Sequence, residues 1–337
     1  MLFFARLATL LLLFCAVADG ASAQSRRLAD LLRAQNAVEM ETRERVNAGT
    51  IGLAGGLLEG APIRFATEIA RAVNEGDMHV LPIVTRGPTE NVNDLLYLRG
   101  VDAAIINSDS LEEYKAQVPQ IQQRIVCILN LFPSELHIFV RPEIKTLADL
   151  AGKKVNFNTR GTAAAYSGPL IFSRLGLSVE KMFVPHPAAL EQLKRGEIDA
   201  VVFVTTKPVD AFAKGKWEEG FKFLPVEFDP KFADYYLPSS LEAADYPNLI
   251  AKDARIATIS VPTVLATLNW QPGSPRYRRV ARFVDELFGH VDRLATPGFD
   301  AKWKDVNPAA RAPGLERFQA AQEWLDRSAS AKQSGRP

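Results

Sequence analysis

The stretch that decides the fold is Glu135–Gly168, ELHIFVRPEIKTLADLAGKKVNFNTRGTAAAYSG. Leu136, Ile138 and Val140 alternate with His137, Phe139 and Arg141, the period of a strand. Pro142 has no N–H for a ladder and ends that strand. Thr146, with Asp149 three residues on, forms a loose capping box, and Gly152 stands just past the short helix it starts. A second strand, Lys154–Phe157, runs into a loop, Asn158–Thr162, which opens a helix of small residues at Ala163–Ser167.

A strand, a tight polar loop and a helix start make an anion site. The first helical turn has unpaired N–H groups, and the helix dipole favours negative charge there. Arg160 sits inside the loop, and its planar fork suits a carboxylate. Two readings stay open. Arg160, Gly161, Thr162 and the N–H of Ala163 hold an acid group, or Arg160 is a surface arginine beside an ordinary helix start.

The same plan recurs upstream. Thr50–Ala54 is a short apolar strand feeding Gly55-Gly56-Leu57-Leu58-Glu59-Gly60 and a helix over Pro62–Asn74. His79–Thr85 is a strand, followed by the loop Arg86–Glu90 and a helix over Asn91–Arg99. Val101–Asn107 is a third strand, ending in Asn107, Ser108 and Asp109 before a helix over Ser110–Gln117. Alternating strands and helices imply parallel pairing. The loops at Gly55/Gly56, Thr85–Glu90 and Asn107/Ser108 then fall on one sheet edge, where open α/β sheets bind ligands. Singly, each is an ordinary turn or cap. A dinucleotide fingerprint does not fit the spacing of Gly52, Gly55, Gly56 and Gly60.

Downstream, the helix Pro187–Arg195 precedes the strand Ala200–Val204, which ends in Thr205-Thr206-Lys207-Pro208. RGEIDAVVFVTT at 195–206 resembles RGVDAAIINSD at 99–109, so we read two similar α/β domains rather than one long sheet. Gly220–Glu227 reads as a strand and Asp229–Leu249 as irregular. Ile256–Leu268 is apolar and β-branched and is expected to cross back to the first domain. Helices are expected at Pro275–Leu287 and within Trp303–Arg327.

Composition narrows the function. The chain has 337 residues, a formal net charge of +1, 23% charged residues and no basic block, which argues against nucleic acid as a partner. Met1–Arg6, the apolar run Leu7–Ala18 and Ala21-Ser22-Ala23 read as a secretory signal peptide cleaved after Ala23. Cys15 leaves with it, and Cys127 then has no internal disulfide partner. The histidines at 79, 137, 186 and 290 lack metal-ligand spacing, so no metal or cofactor is expected. No G-x-S-x-G elbow, H-E-x-x-H or Walker loop is present, and the acidic residues are scattered. An exported chain of this kind reads as a binding protein and not as an enzyme.

The segments TIGLAGG, VTRGPTENVNDLLYLRGVDAAIINSD, ELHIFVRPEIKTLADLAGKKVNF with NTRGT, LKRGEIDAVVFV and DARIATISVPTVLATLNW resemble one family. It is the solute-binding proteins of tripartite ATP-independent periplasmic (TRAP) transporters, in the TAXI branch. The resemblance implies a type II-like, two-lobed periplasmic-binding-protein fold, with the ligand cleft between the lobes and two hinge crossings. Lobe 1 is then 47–140 plus 262–327 and lobe 2 is 141–261, while Leu28, Leu31, Leu32, Gln35 and Val38 at helical spacing make 24–46 an amphipathic helix expected to pack on the body, and 328–337 is expected to be a disordered tail. Leu136–Val140 and Thr258–Leu265 suit the crossings. The implied ligand is a small organic acid or acidic amino acid, handed to small and large membrane permease subunits. A sensing subunit that signals to a membrane kinase is the alternative.

Carried onto this chain, the ligand loops supply Gly55, Gly56, Leu57, Arg86, Gly87, Glu90, Asn91, Asn107, Ser108, Arg160, Gly161, Thr162, Ala163, Thr205 and Lys207. The family's hydroxyl and aromatic residues near the first glycine pair are replaced here by Ala54 and Leu57-Leu58, and the next loop is Arg86-Gly87-Pro88. Those departures suit a more acidic or partly apolar ligand.

Overall fold

The computed structural model of the chain describes residue 27, residues 30–74 and residues 78–333. The expected signal peptide lies outside the described residues. Residues up to Gly49 form a unit of their own, the rest another. In the first unit, residues 30–48 form helix α1. Asp30–Arg33 and Glu39–Arg43 pairs support α1 along its own surface.

The second unit begins with β1 (Thr50–Ala54), α2 (Ala61–Val73), β2 (His79–Ile83), α3 (Pro88–Tyr97) and β3 (Ala103–Asn107). A 3-10 turn at Ser108–Tyr114 and α4 (Ile121–Arg124) lead into the long strand β4 (Ile125–Val140). Then follow β5 (Lys154–Asn156), α5 (Ala163–Arg174), β6 (Glu180–Met182), α6 (His186–Arg195), β7 (Ala200–Thr205), α7 (Asp210–Ala213) and β8 (Lys222–Phe223). β9 (Leu237–Glu242), the long β10 (Arg255–Leu268), α8 (Pro275–Gly289), α9 (Val291–Leu294) and α10 (Gln319–Gln333) complete it.

The strands form one ten-stranded mixed sheet with main order β2-β1-β3-β10-β4-β7-β5-β6. β2, β1 and β3 run parallel, as do β7, β5 and β6. β4 and β10 lie antiparallel between these groups and belong to both. The architecture is two α/β lobes, each a parallel half-sheet, joined through two shared strands. The sheet is therefore continuous where two separate sheets were expected, because β4 and β10 are long enough to serve both halves. In their shared register Pro262 faces Pro133, and neither can donate to the ladder.

Each half has its own core on both sheet faces. Ile51, Leu53, Phe65, Phe132, Phe283 and Trp303 pack on one face of the first half, and Ile106, Val92 and Val264 on the other. Ile138, Val155, Phe172 and Tyr236 fill one face of the second half, and Phe139, Phe203, Phe212 and Phe223 the other. The sequence echo of the two halves has a physical counterpart. Asp102 accepts from the N–H of Gly52 at 3.3 Å, and Asp199 from that of Lys154 at 3.0 Å. Each aspartate anchors the neighbouring strand at the edge opposite the loops.

Several expected elements shift. Leu237–Glu242 is a strand inside the stretch read as irregular; its edge position leaves only Leu241 buried. The expected strand Gly220–Glu227 shortens to Lys222–Phe223, and the helix expected at 110–117 is the 3-10 turn. α10 continues to Gln333, into the tail expected to be disordered, with Phe318 and Ala321 buried at its start.

One buried side chain fixes the loop edge of the first half. Asn91, fully buried on α3, donates to the carbonyls of Gly55 and Ile105 at 2.7 Å each and accepts from the Thr85 hydroxyl at 2.6 Å. It ties three strand ends together. Asn91→Ala strands two buried carbonyls and a hydroxyl, and should cost roughly 3 kcal/mol of stability, read as a shift of the urea midpoint.

Candidate functional site

Between the two halves lies a cavity of about 650 Å3, the size of a metabolite site. Its floor is made by the shared strands and the end of β3. Asn107 donates to the Thr263 hydroxyl at 3.1 Å, and that oxygen lies 2.7 Å from the Ser134 hydroxyl. All three are buried and line the cavity beside Phe132. The floor is neutral and can both donate and accept.

The walls are helix starts. Residues Gly60–Pro62 open α2 and Gly87–Pro88 open α3 from the first half; Thr162–Ala164 open α5 and Pro185–Pro187 open α6 from the second. The Thr162 hydroxyl caps α5 by accepting from the N–H of Ala165 at 3.3 Å. The N–H groups of Ala163 and Ala164 keep no partner among the described residues. Pro62, Pro88 and Pro187 each remove one donor from the other three starts.

The halves touch at two glycines. Gly87 has φ +133°, and a Cβ there would lie 2.5 Å from the carbonyl oxygen of Gly161. Gly161 has φ +94°, and its Cβ would meet that of Arg86 at 2.9 Å. Only glycine allows this approach of two loops from different halves.

Of the residues singled out in the sequence, Gly56, Leu57, Arg86, Gly87, Asn107, Thr162, Ala163 and Thr205 line the cavity. Gly55, Glu90, Asn91, Ser108, Arg160, Gly161 and Lys207 stand outside its lining, each for a visible reason. Gly55 is backed against Ile63, and Asn91 is the peg behind the loops. Glu90 accepts from the backbone and guanidinium of Arg86. Ser108 is buried in the turn after β3, and Gly161 is the contact point just described. The Lys207 ammonium donates to Ser240 O at 2.7 Å and pairs with Asp245 at 2.8 Å.

Arg160 is exposed and lies over the Phe183 ring, 4.0 Å from its centroid. Arg86 reaches the cavity rim, but its side chain is 73% exposed and paired with Glu90 at 3.2 Å. A third arginine in the lining, Arg64, pairs with Asp300 at 2.6 Å. The positive character of the site thus comes mainly from backbone N–H groups.

The sequence reading misses Phe132, Ser134, Thr263, His186 and Phe203. His186 stacks on Phe203 with ring centroids 3.3 Å apart, and its Nε2–H donates to the Val202 carbonyl at 2.9 Å. Burial pushes its pKa down to about 4, so the ring is neutral. Pro185-His186-Pro187 at a helix start is the local signal that marks it. Phe132, Ser134 and Thr263 carry no local signal, since only the register of β4 with β10 brings them together. Among the described residues no group of His, Cys, Asp and Glu could hold a metal ion, and no helix is long and apolar enough to cross a membrane.

Solved structures similar to the chain include three of low identity. The TctC solute-binding protein from Polaromonas is 18% identical, with 72% of this chain and 88% of that one covered and a TM-score of 0.41. PhnD1 from Prochlorococcus marinus, in complex with methylphosphonate, is 10% identical over 86% and 100%, with a TM-score of 0.47. YhfZ from Shigella flexneri is 18% identical over 73% and 90%, with a TM-score of 0.45. Residues 64–278 match the model of the NMT1-like family. That match takes in more than half of the chain, which therefore belongs to the NMT1-like family.

Proposed function

We propose that the chain is the exported, solute-capturing subunit of a TRAP-type transporter of the TAXI branch. It binds a small organic acid or acidic amino acid between its halves, leaves it chemically unchanged and delivers it to small and large membrane permease subunits. The observation that carries this reading is the start of α5, where two unpaired N–H groups open onto the cavity. The starts of α2, α3 and α6 add their dipoles around the same space. The apolar run Leu7–Ala18 before Ala21-Ser22-Ala23 supports export to the periplasm.

In this reading the carboxylate sits on the N–H groups of Ala163 and Ala164, with the Thr162 side chain fixing that turn. The rest of the solute reaches the neutral floor of Asn107, Ser134 and Thr263, and the Phe132 and Phe203 rings shield its apolar part. Closure of the halves about β4 and β10 completes the grip. A thermal-shift screen against dicarboxylates, keto acids and amino acids, followed by calorimetry, tests it. Stabilisation by neutral or cationic solutes alone sinks the carboxylate assignment.

Ala163→Pro probes the backbone donor directly. Proline fits the first helical position, and Thr162 already has the extended ψ of 161° that a following proline wants. The variant should fold normally and lose about 1.5–3 kcal/mol of affinity for the acid in calorimetry, the cost of one charge-assisted hydrogen bond. Thr263→Val should cost about 1 kcal/mol of affinity by unpinning Asn107 and Ser134 from each other. Unchanged affinity in both variants would place the solute elsewhere.

A further inference from the structure

A second set of contacts joins the halves beneath α5, apart from the cavity lining. The 3-10 turn after β3, in the first half, presents Asp109 and Glu112. The segment before β9, in the second half, presents Tyr235 and Tyr236. The Tyr236 hydroxyl donates to Asp109 Oδ2 at 2.8 Å, and that of Tyr235 to Glu112 Oε2 at 2.6 Å. Gln122 on α4 donates to the Tyr235 oxygen at 3.1 Å. Asp109 and Ser108 are 0% exposed, and Ser167 on α5 is 1% exposed. Asp109 Oδ1, Ser108 Oγ and Ser167 Oγ are all buried without a well-formed hydrogen bond.

We propose that Asp109 and Tyr236 form a buried latch that joins the two halves and is released when Asp109 ionises. The unpaired atoms fit a protonated carboxyl. A proton on Oδ1 turns that oxygen into a donor, and the Ser167 hydroxyl beside it can accept. The ionised form is costly, because Asp109 is fully buried, only its Oδ2 has a hydrogen-bond donor, Tyr236, and Arg174 already grips Asp234 through bonds of 2.6 and 2.9 Å.

The ionisable surroundings are few. Tyr236, Tyr166 and Arg174 face Asp109 from the second half, and Glu112 and Glu113 share its own turn, with Tyr235 beyond Glu112. Glu90 and Asp94 on α3 act on Tyr114 instead. Burial dominates and pushes Asp109 up to about 6, against the opposing pull of Ser167, Tyr236 and Arg174. With the halves apart, Asp109 loses Tyr236 and Ser167 as cover and returns toward the usual aspartate range near ~4. Closing therefore takes up a proton between those two values. The closed form gains nothing from acid below the lower value, loses ground as pH rises through the window, and carries the full penalty above about 6. The open–closed ratio should shift about a hundred-fold across the window, tenfold for each pH unit.

Solution X-ray scattering of the full chain, with no solute added, tests the latch. Because no ligand is needed, its failure is separate from failure of the solute reading. The wild type should be compact at about pH 4 and reversibly larger at about pH 8. Asp109→Asn cannot ionise and still accepts from Tyr236, so it should stay compact at both. Tyr236→Phe removes a donor to the ionised carboxyl and should open at lower pH than the wild type. A wild type of constant size, or an Asp109→Asn variant that keeps the wild-type response, overturns the proposal. Should Asp109→Asn fail to fold by circular dichroism, identical profiles for the wild type and Tyr236→Phe overturn it.

Discussion

Two strands that belong to both halves at once are the constraint on which the rest depends. β4 and β10 pair with each other along most of their length, then lend their ends to β7 on one side and β3 on the other. Pro133 and Pro262 face each other where the strands pass from one half to the other. Neither supplies a ladder donor, so the crossing is tied more loosely than the cores it connects. The floor residues Phe132, Ser134 and Thr263 are the immediate neighbours of these prolines. The cavity floor and the stretch where both shared strands lack a ladder donor are therefore the same few residues.

The cationic side chains at and beside the walls are already engaged. Arg64, Arg86 and Lys207 are held by Asp300, Glu90 and Asp245, and Arg160 lies on Phe183. A long cation at the rim would lose side-chain entropy on ordering and would be screened by water. Backbone N–H groups at a helix start are already fixed, and they sit in a drier setting. His186, neutral and stacked on Phe203, adds no charge to the second wall.

Local chemistry made much of this fold legible in the sequence. The alternation at Leu136–Val140, the capping box of Thr146 and Asp149 and the apolar run Thr50–Ala54 mark elements that the structure contains at those places. β9 was hidden because an edge strand with one buried residue has no alternation to read. Inside the cavity the division is similar. Loops at strand ends can be found from glycine and polar clusters, and Gly56, Gly87, Thr162 and Thr205 line the space. The outward turn of Arg160 depends on Phe183, more than twenty positions away, and Thr263 meets Ser134 only through the pairing of distant strands. No local pattern encodes either. Asn91 shows the opposite confusion, since a polar residue at the start of α3, read as a ligand residue, serves instead to hold three strand ends together.

The contacts between the halves are modest, and that bears on how the molecule can move. Besides the glycine touch point and the Thr89–Gly161 bond at 3.5 Å, they include the hydroxyls of Tyr235 and Tyr236 and the packing of Lys115 and Gly314 on Tyr235. Each such bond is worth about 1 kcal/mol net, more where the acceptor is charged, and enclosing Asp109 subtracts from the total. Closure held by a few kcal/mol is close to balance. A solute that meets the floor and both walls only in the closed form adds a differential contribution large enough to decide the populations, whereas one that touches a single wall does not. A more apolar, tightly sealed junction would stay shut whether or not the cavity were filled, so the polar character of this junction is what leaves the outcome to the contents of the cavity.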